Sequence, residues 1–443
     1  MSQRPEAQPA TVSATTTQAG EVLGRWLWTE SAVWTERMLT ALEKGVKGGI
    51  WFSLIDKVWS QANLAAAFGR VNANHGAAGV DHVTVEQFAA HEEANLQRLH
   101  EELRSGRYQP QDIRRHWIPK LGSTEQRPLG IPTVRDRVVQ TALRSVLEPI
   151  FERDFAEHSY GFRPGRGCKD ALRQVQALLQ AGYSYVVDAD LKSYFDTIPH
   201  DRLLARIREK IADGRVLALL EGFLQAGILD GLDRWTPEQG SPQGAVISPL
   251  LSNIYLDPLD HLMAQQGFAM VRYADDFVIL CRSAAAAERA LQMLQDWTAT
   301  AGLTLHPQKT RIVDTRTEGF DFLGYHFHQG HHWPRVKSMQ KVKETIRTKT
   351  RRTDGRSLQV IIDDVNQSLR GWFAYFKHSY RTTFAPLDGW IRMRLRSLLR
   401  QRQGRQGRGC GADHQRWPNA FFAAQGLFSL KTAHELACQS SCR

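Results

Sequence analysis

An α+β chain of two or three domains is what this sequence predicts, and three observations carry the prediction. Its 443 residues exceed an ordinary single domain, and a hydrophobic fraction of 42% is enough for proper cores. Short apolar runs with strand character stand among longer stretches whose apolar residues or strong helix formers recur at helical spacing. Two of the short runs, Ala269-Met270-Val271 and Phe277-Val278-Ile279-Leu280, flank Tyr273-Ala274-Asp275-Asp276. That is the pattern of a β-hairpin closed by a short turn.

The elements follow in order. Met1 to Gly20 is rich in Ser, Thr, Ala, Gln and Pro, lacks an apolar signal region and is expected to be disordered. Ile50 to Arg104 reads as mostly helical, interrupted at Asn72-Ala73-Asn74-His75-Gly76 and Ala78-Gly79. Pro110 to Pro132 reads as strands with loops, Val134 to Phe155 as a helix, and Asp170 to Ala181 as another. Tyr185 to Leu191 reads as a buried strand, and His200 to Ile228 is helical again. Gln239-Gly240-Ser241-Pro242-Gln243-Gly244 forbids regular structure, then releases into an apolar helical stretch from Ala245 to Leu256. Ala284 to Ala301 is filled with helix formers. Leu303-Thr304-Leu305 and Thr310-Arg311-Ile312-Val313 are short strand candidates, and Phe322 to Phe327 reads as one further strand. Gly330 with Pro334 marks a boundary, with His331-His332 in a loop. Ile362, Val365, Leu369, Phe373 and Phe376 then recur at helical spacing, so the C-terminal region has an amphipathic helix with its own core. Gln401 to Gly411 reads as a flexible basic loop, and no internal repeat is evident.

Paired negative charges at a buried hairpin tip resist ionisation, and a divalent metal removes that penalty. Asp190, at the end of the 185–191 strand and five positions before Phe195, could meet Asp275 and Asp276 on a neighbouring strand. Three carboxylates from two strands would hold two Mg²⁺ ions roughly 3.5–4 Å apart, the arrangement of in-line phosphoryl transfer. The plainer alternative makes Asp190 a turn cap and Asp275/Asp276 a solvated turn. In the Gly-Ser-Pro-Gln-Gly loop, glycine admits a ligand close to the backbone and glutamine offers both donor and acceptor; taken alone it is equally an interdomain turn.

Charge narrows the partners. Residues 330–443 carry 22 Lys/Arg against 7 Asp/Glu, whereas the rest of the chain carries 35 against 39. A basic C-terminal quarter on a near-neutral body is the footprint of a phosphate backbone. No run of 18 apolar residues appears, and the basic runs lack an apolar face, so no membrane is expected. The five cysteines form no disulfide framework, which points to a reducing, intracellular location. Cys410-x3-His414 and Cys438-x3-Cys442 carry zinc-ligand types, but the first pair mixes Cys with His and the second falls in the chain's tail, so no zinc site is expected.

Together these segments resemble a family. Asp190 with Phe195, Ser-Pro-Gln-Gly and Tyr-Ala-Asp-Asp occur in the order seen in reverse transcriptases. Arg127-Pro128-Leu129-Gly130-Ile131-Pro132, the string Tyr160 to Gly167 and Gly319-Phe320-Asp321-Phe322-Leu323-Gly324 are similar to bacterial group II intron-encoded proteins. Leu369-Arg370-Gly371-Trp372-Phe373-Ala374-Tyr375-Phe376 resembles their maturase segment, and Trp417 to Leu430 its distal end. The resemblance covers roughly residues 55 to 435.

It implies a right-hand polymerase: residues 1–49 as an N-terminal extension, partly disordered; 50–110 as a helical fingers extension; 111–330 as fingers and palm; and 331–443 as a basic helical thumb or maturase domain. It implies Asp190, Asp275 and Asp276 as catalytic metal ligands for two Mg²⁺. Lys120 and Arg127 would clamp the triphosphate, Phe195 would exclude a 2′-hydroxyl, and Gln243 would lie along the nucleotide or template edge. Lys309 would donate a proton to pyrophosphate or contact a phosphate, and Arg163 would brace fingers against palm. The implied partners are dNTPs, an RNA template with a DNA primer, and a group II intron RNA recognised by backbone and shape. The implied location is the bacterial cytoplasm, with monomer and dimer both open. With no room for an endonuclease domain after the thumb, the chain resembles the compact class C proteins. Two alternatives remain at this point: a splicing cofactor without active polymerase, and a domesticated reverse transcriptase in antiviral defence.

Overall fold

The computed structural model describes residues 24–119, 126–409 and 411–441. The expected disorder of Met1 to Gly20 therefore lies outside the described residues, as do Lys120, Cys410 and Cys442.

Three sheets organise the described residues. In the first, β1 (Ile113–Pro119) and β2 (Gln126–Ile131) form an antiparallel pair. β1 also pairs in parallel with β4 (Ile228–Asp230), which turns back into β5 (Asp233–Trp235). The second has the order β6-β7-β3-β8, from β3 (Tyr185–Asp190), β6 (Ala269–Tyr273), β7 (Asp276–Cys281) and β8 (Arg311–Asp314), all antiparallel. The third is the meander β9 (Phe320–Phe322), β10 (Tyr325–His328) and β11 (His331–Pro334).

Alternation along β3 and β7 decides what covers each face of the second sheet. Val187, Ala189, Phe277 and Ile279 join the main core, with Leu251 and Met263 of helix Ser248–Gln265 and Leu294 of helix Ala284–Ala301. Val186, Val278 and Leu280 face the other way, onto Phe320, Phe322, Tyr325 and Phe327 of the third sheet and Phe376. A separate core spans residues 342–430, where Ile362, Val365 and Leu369 of helix Leu358–Phe376 meet Phe384, Leu395 and Phe422.

The N-terminal region is built into the main core. Trp26, Trp34, Leu39 and Leu42 are buried there, and Trp34 donates its indole N–H to the Ser145 carbonyl at 2.9 Å. Asp213 makes a second tie. Its carboxylate caps its own helix Gly214–Leu224 through the Arg215 and Val216 amides, and accepts from the Leu54 and Ile55 amides at 2.7 and 2.9 Å. One buried side chain thus satisfies donors at two helix starts.

Five readings from sequence are corrected. His200 to Ile228 is two helices, His200–Arg208 and Gly214–Leu224, parted at Asp213, and Ile228 belongs to β4 because it pairs with Ile113. Leu303-Thr304-Leu305 makes only a bridge from Leu305 to Leu191. Phe322 to Phe327 is not one strand: Leu323 and Gly324 both take positive φ (46° and 83°), closing a two-residue hairpin between β9 and β10. His331-His332 lies in β11, paired with His328 and Phe327, so the suggested boundary near Gly330 falls in a hairpin turn. The basic stretch at 401–411 begins as helix, since Phe384–Arg402 runs to Arg402.

Candidate active site

Tyr273 pairs with Asp276, so Ala274 and Asp275 alone form the turn between β6 and β7. Such turns need a residue with positive φ, usually glycine; here Ala274 takes it, at φ 59°. Arg272 holds it there. Its guanidinium is fully buried and donates to the Ala274 carbonyl (2.8 Å) and to Asn253 Oδ1 (2.9 Å), while Nε and Nη2 grip Asp260 at 2.8 and 2.5 Å. Asn253 passes the restraint on to the Gly161 carbonyl at 2.8 Å. A Cβ on Gly161 would collide with the Tyr273–Ala274 backbone, so the Tyr160-Gly161-Phe162 string packs directly beneath the turn. Sequence reasoning missed this network. Its one signal was an arginine within an otherwise apolar strand.

β3 brings the third carboxylate, with Asp190 directly opposite Asp276. Asp188 shares its face two residues earlier. Solvent reaches Asp276 at the strand end, yet protein crowds its carboxyl, and that burial with the charges of Asp275 and Asp188 pushes it up to about 7. Asp188 is pushed up to about 6, again chiefly by burial, against the pull of Arg311. Asp275 is raised by burial and by Asp190, with Arg127 and Arg272 pulling it back. Two cations from the β8 side answer part of this charge. Lys309 Nζ lies 2.7 Å from Asp190 Oδ2, and Arg311 Nε lies 3.8 Å from Asp188.

The resemblance implies a divalent metal, and the residues here can be tested against one. Among the described residues no three acidic, histidine or cysteine side chains stand close enough together, as placed, to hold a metal ion. Asp190 is engaged by Lys309 instead. The donor set nevertheless fits a hard cation: oxygen ligands only, two adjacent at a turn and one directly across the ladder, with Asp275 and Asp276 short of positive partners.

The loop at 239–244 is pressed between two parts of this site. The Ser241 amide donates to the Phe195 carbonyl at 2.6 Å, and Gly240 (φ 95°) leaves no room for a Cβ against the backbone of Phe195 and Asp196. On the other side the Gly130 amide of β2 donates to the Gln243 carbonyl at 2.6 Å. Phe195 and Gln243 help line one cavity of about 1340 Å³, with Arg115 stacked over Trp117 and Trp235 on its β1 and β5 wall. The three aspartates are not in that wall. Arg127, opposite Ile118, is exposed and within electrostatic reach of Asp275.

Arg163 is buried and serves its own neighbourhood, with Glu152 at 2.8 Å and the Ala156 and Ser159 carbonyls as acceptors. In the basic C-terminal region, several arginines are likewise occupied. Arg396 bonds the Trp417 carbonyl, Arg394 that of Thr350, and Arg400 pairs with Asp413. Charge counting alone therefore overstates the cations free for phosphate. Of the zinc-type residues, Cys438 is exposed with His434 nearby, at 3.7 Å. No described helix is long and apolar enough to cross a membrane.

Comparison with known proteins agrees with the geometry. Residues 118–327 match the model for "Reverse transcriptase (RNA-dependent DNA polymerase)", and residues 339–416 that for "Group II intron, maturase-specific domain". Protein YkfC of Escherichia coli is 37% identical over 290 residues, covering 56% of this chain and 74% of YkfC. The group II intron-encoded protein LtrA of Lactococcus lactis is 38% identical over 201 residues, covering 45% of this chain; the matched part is only 33% of LtrA. A chain of a partial Cas6-RT-Cas1–Cas2 complex aligns at 25% identity over 56% of this chain and 42% of its own, with a TM-score of 0.36 too low to bear on function. The chain belongs to the group II intron reverse transcriptase and maturase family, RNA-directed DNA polymerases that carry a maturase domain behind an α+β polymerase core.

Proposed function

We propose that this chain copies RNA into DNA at Asp190, Asp275 and Asp276 with two Mg²⁺, and that its maturase domain binds a group II intron RNA to assist splicing and retromobility. The observation that supports the catalytic part is the register of β3 against β7, which sets Asp190 opposite Asp276 with Asp275 next in the turn. Asp190, Asp275 and Asp276 would hold the metal pair, whose chemistry is activation of the primer 3′-hydroxyl and neutralisation of the leaving pyrophosphate. Arg127, a fixed fork near Asp275, would grip the triphosphate, together with Lys120. Phe195 would lie under the incoming sugar and exclude a 2′-hydroxyl by steric clash, with Gln243 along the base or template edge. Lys309 would leave Asp190 to meet the pyrophosphate, as a phosphate contact or proton donor.

Primer extension on an RNA template with Mg²⁺ and dNTPs tests the reading. Wild type should make cDNA and Asp275→Asn should not, while both bind structured RNA within a few-fold of each other. Normal extension by the variant would falsify the assignment of the aspartates. No cDNA from either protein, with tight RNA binding intact, would point to a splicing cofactor without polymerase activity.

A further inference from the structure

The polymerase match ends at residue 327 and the maturase match begins at 339, yet the two regions are hydrogen-bonded to each other beside the aspartates. The junction is the Leu323-Gly324 turn. Leucine is strained in left-handed backbone, so this turn keeps its shape only where its surroundings impose it. The restraint comes from later in the chain. The Tyr375 hydroxyl, in the last turn of helix Leu358–Phe376, donates to the Leu323 carbonyl at 2.8 Å. Ser338 Oγ and the Arg335 amide both donate to the Gly324 carbonyl at 2.9 Å. The link is reciprocal, since the Tyr325 hydroxyl donates to the Tyr375 carbonyl at 2.7 Å.

The other side of the same turn meets the aspartates. The Leu323 backbone amide lies on the Asp276 side of the turn and favours the charged form of that carboxylate. Asp276, Leu323, Gly324, Ser338 and Tyr375 all line one cavity of about 610 Å³. We propose that Tyr375 is a positioning residue through which the maturase domain holds the Leu323 amide, and so the Asp276 carboxylate, in the geometry that binds metal. This rests on the reading of Asp190, Asp275 and Asp276 as metal ligands. It gives the aromatic string Trp372 to Phe376 a role in polymerisation as well as in its own domain's core. A displacement of helix Leu358–Phe376 would be transmitted toward Asp276 through the Tyr375–Leu323 hydrogen bond and the turn it holds.

The test is Mn²⁺ binding, followed by electron paramagnetic resonance on the full chain, in wild type, Tyr375→Phe, Ser338→Ala and Asp275→Asn. Tyr375→Phe removes one hydroxyl and keeps the ring. It should weaken Mn²⁺ binding about three- to ten-fold, the worth of one lost hydrogen bond, with affinity for structured RNA unchanged and only a small fall in the unfolding midpoint. Ser338→Ala should shift Mn²⁺ binding the same way by less, which keeps the proposal open to refutation if Tyr375→Phe folds poorly. Wild-type Mn²⁺ affinity in both variants, with binding abolished in Asp275→Asn, would overturn the role of Tyr375 and leave the metal site standing. Undiminished Mn²⁺ binding by Asp275→Asn would overturn the site reading and this inference together.

Discussion

The β6–β7 hairpin has two sides that treat buried charge in opposite ways. Behind it, the fully buried Arg272 meets Asp260, Asn253 and the Ala274 carbonyl, and each of its three guanidinium nitrogens has an acceptor. In front of it, Asp275 and Asp276 crowd Asp190 and Asp188, with Lys309 and Arg311 as partial answers. Both arrangements take charges out of water, which is costly unless each is paired. The satisfied side specifies where the turn sits. The unsatisfied side stores repulsion that a ligand of opposite sign relieves, which is why it reads as the working face.

Substitutions on the two sides should separate stability from activity. The largest effect belongs to the front. Asp275→Asn should reduce primer extension by on the order of 10³-fold or more, from several kcal/mol of lost transition-state stabilisation, while chemical denaturation finds the protein no less stable. The reverse should hold behind the turn. Arg272→Met strands Asp260 in the core and should cost about 3–5 kcal/mol in denaturant unfolding; an unchanged midpoint would end the distinction drawn here.

Asp213 offers a milder form of the satisfied case. Asp213→Ala removes the cap from two helix starts and should cost about 2 kcal/mol by the same measurement. The two classes of carboxylate should also respond to pH with opposite sign. Burial alone would raise Asp213, but four backbone amides outweigh it and hold the group below its ordinary value. Its stabilisation is present above about pH 4 and is lost as pH falls through the lower folded value. Asp276 is raised to about 7, so its contribution is fully favourable below about pH 4 and lost as pH climbs through 7. A test follows from this difference. In metal-free protein, Asp276→Asn should gain stability relative to wild type at pH 8 and show no gain at pH 4, measured by unfolding at both.

The working face was legible in the sequence to the extent that it is local. Apolar runs on both sides of Tyr-Ala-Asp-Asp fix the hairpin, and an aspartate closing an apolar run fixes the end of β3. The register of Asp190 against Asp276 is a long-range pairing that no local pattern encodes. The same reason hid β4 and β5. Each has three residues, and β4 owes its conformation to β1, more than a hundred positions earlier. Phe322 to Phe327 misled because a leucine occupies a left-handed position that sequence signals reserve for Gly or Asn. Arg272 was unreadable for a related reason: its partners Asp260 and Asn253 lie on a helix, and only the fold shows that they face the strand.

The double cap at Asp213 also bears on how the chain is made. The amides of Leu54 and Ile55 wait for a carboxylate about 160 positions later, and the Trp34 indole for a carbonyl 111 positions later. A nascent chain emerging from the ribosome therefore presents the apolar faces of its first helices well before their partners exist. At about 5–20 residues per second, that interval lasts on the order of ten seconds or more. Over that interval the N-terminal helices are the segment most in need of a chaperone, although in the finished protein they are part of its main core.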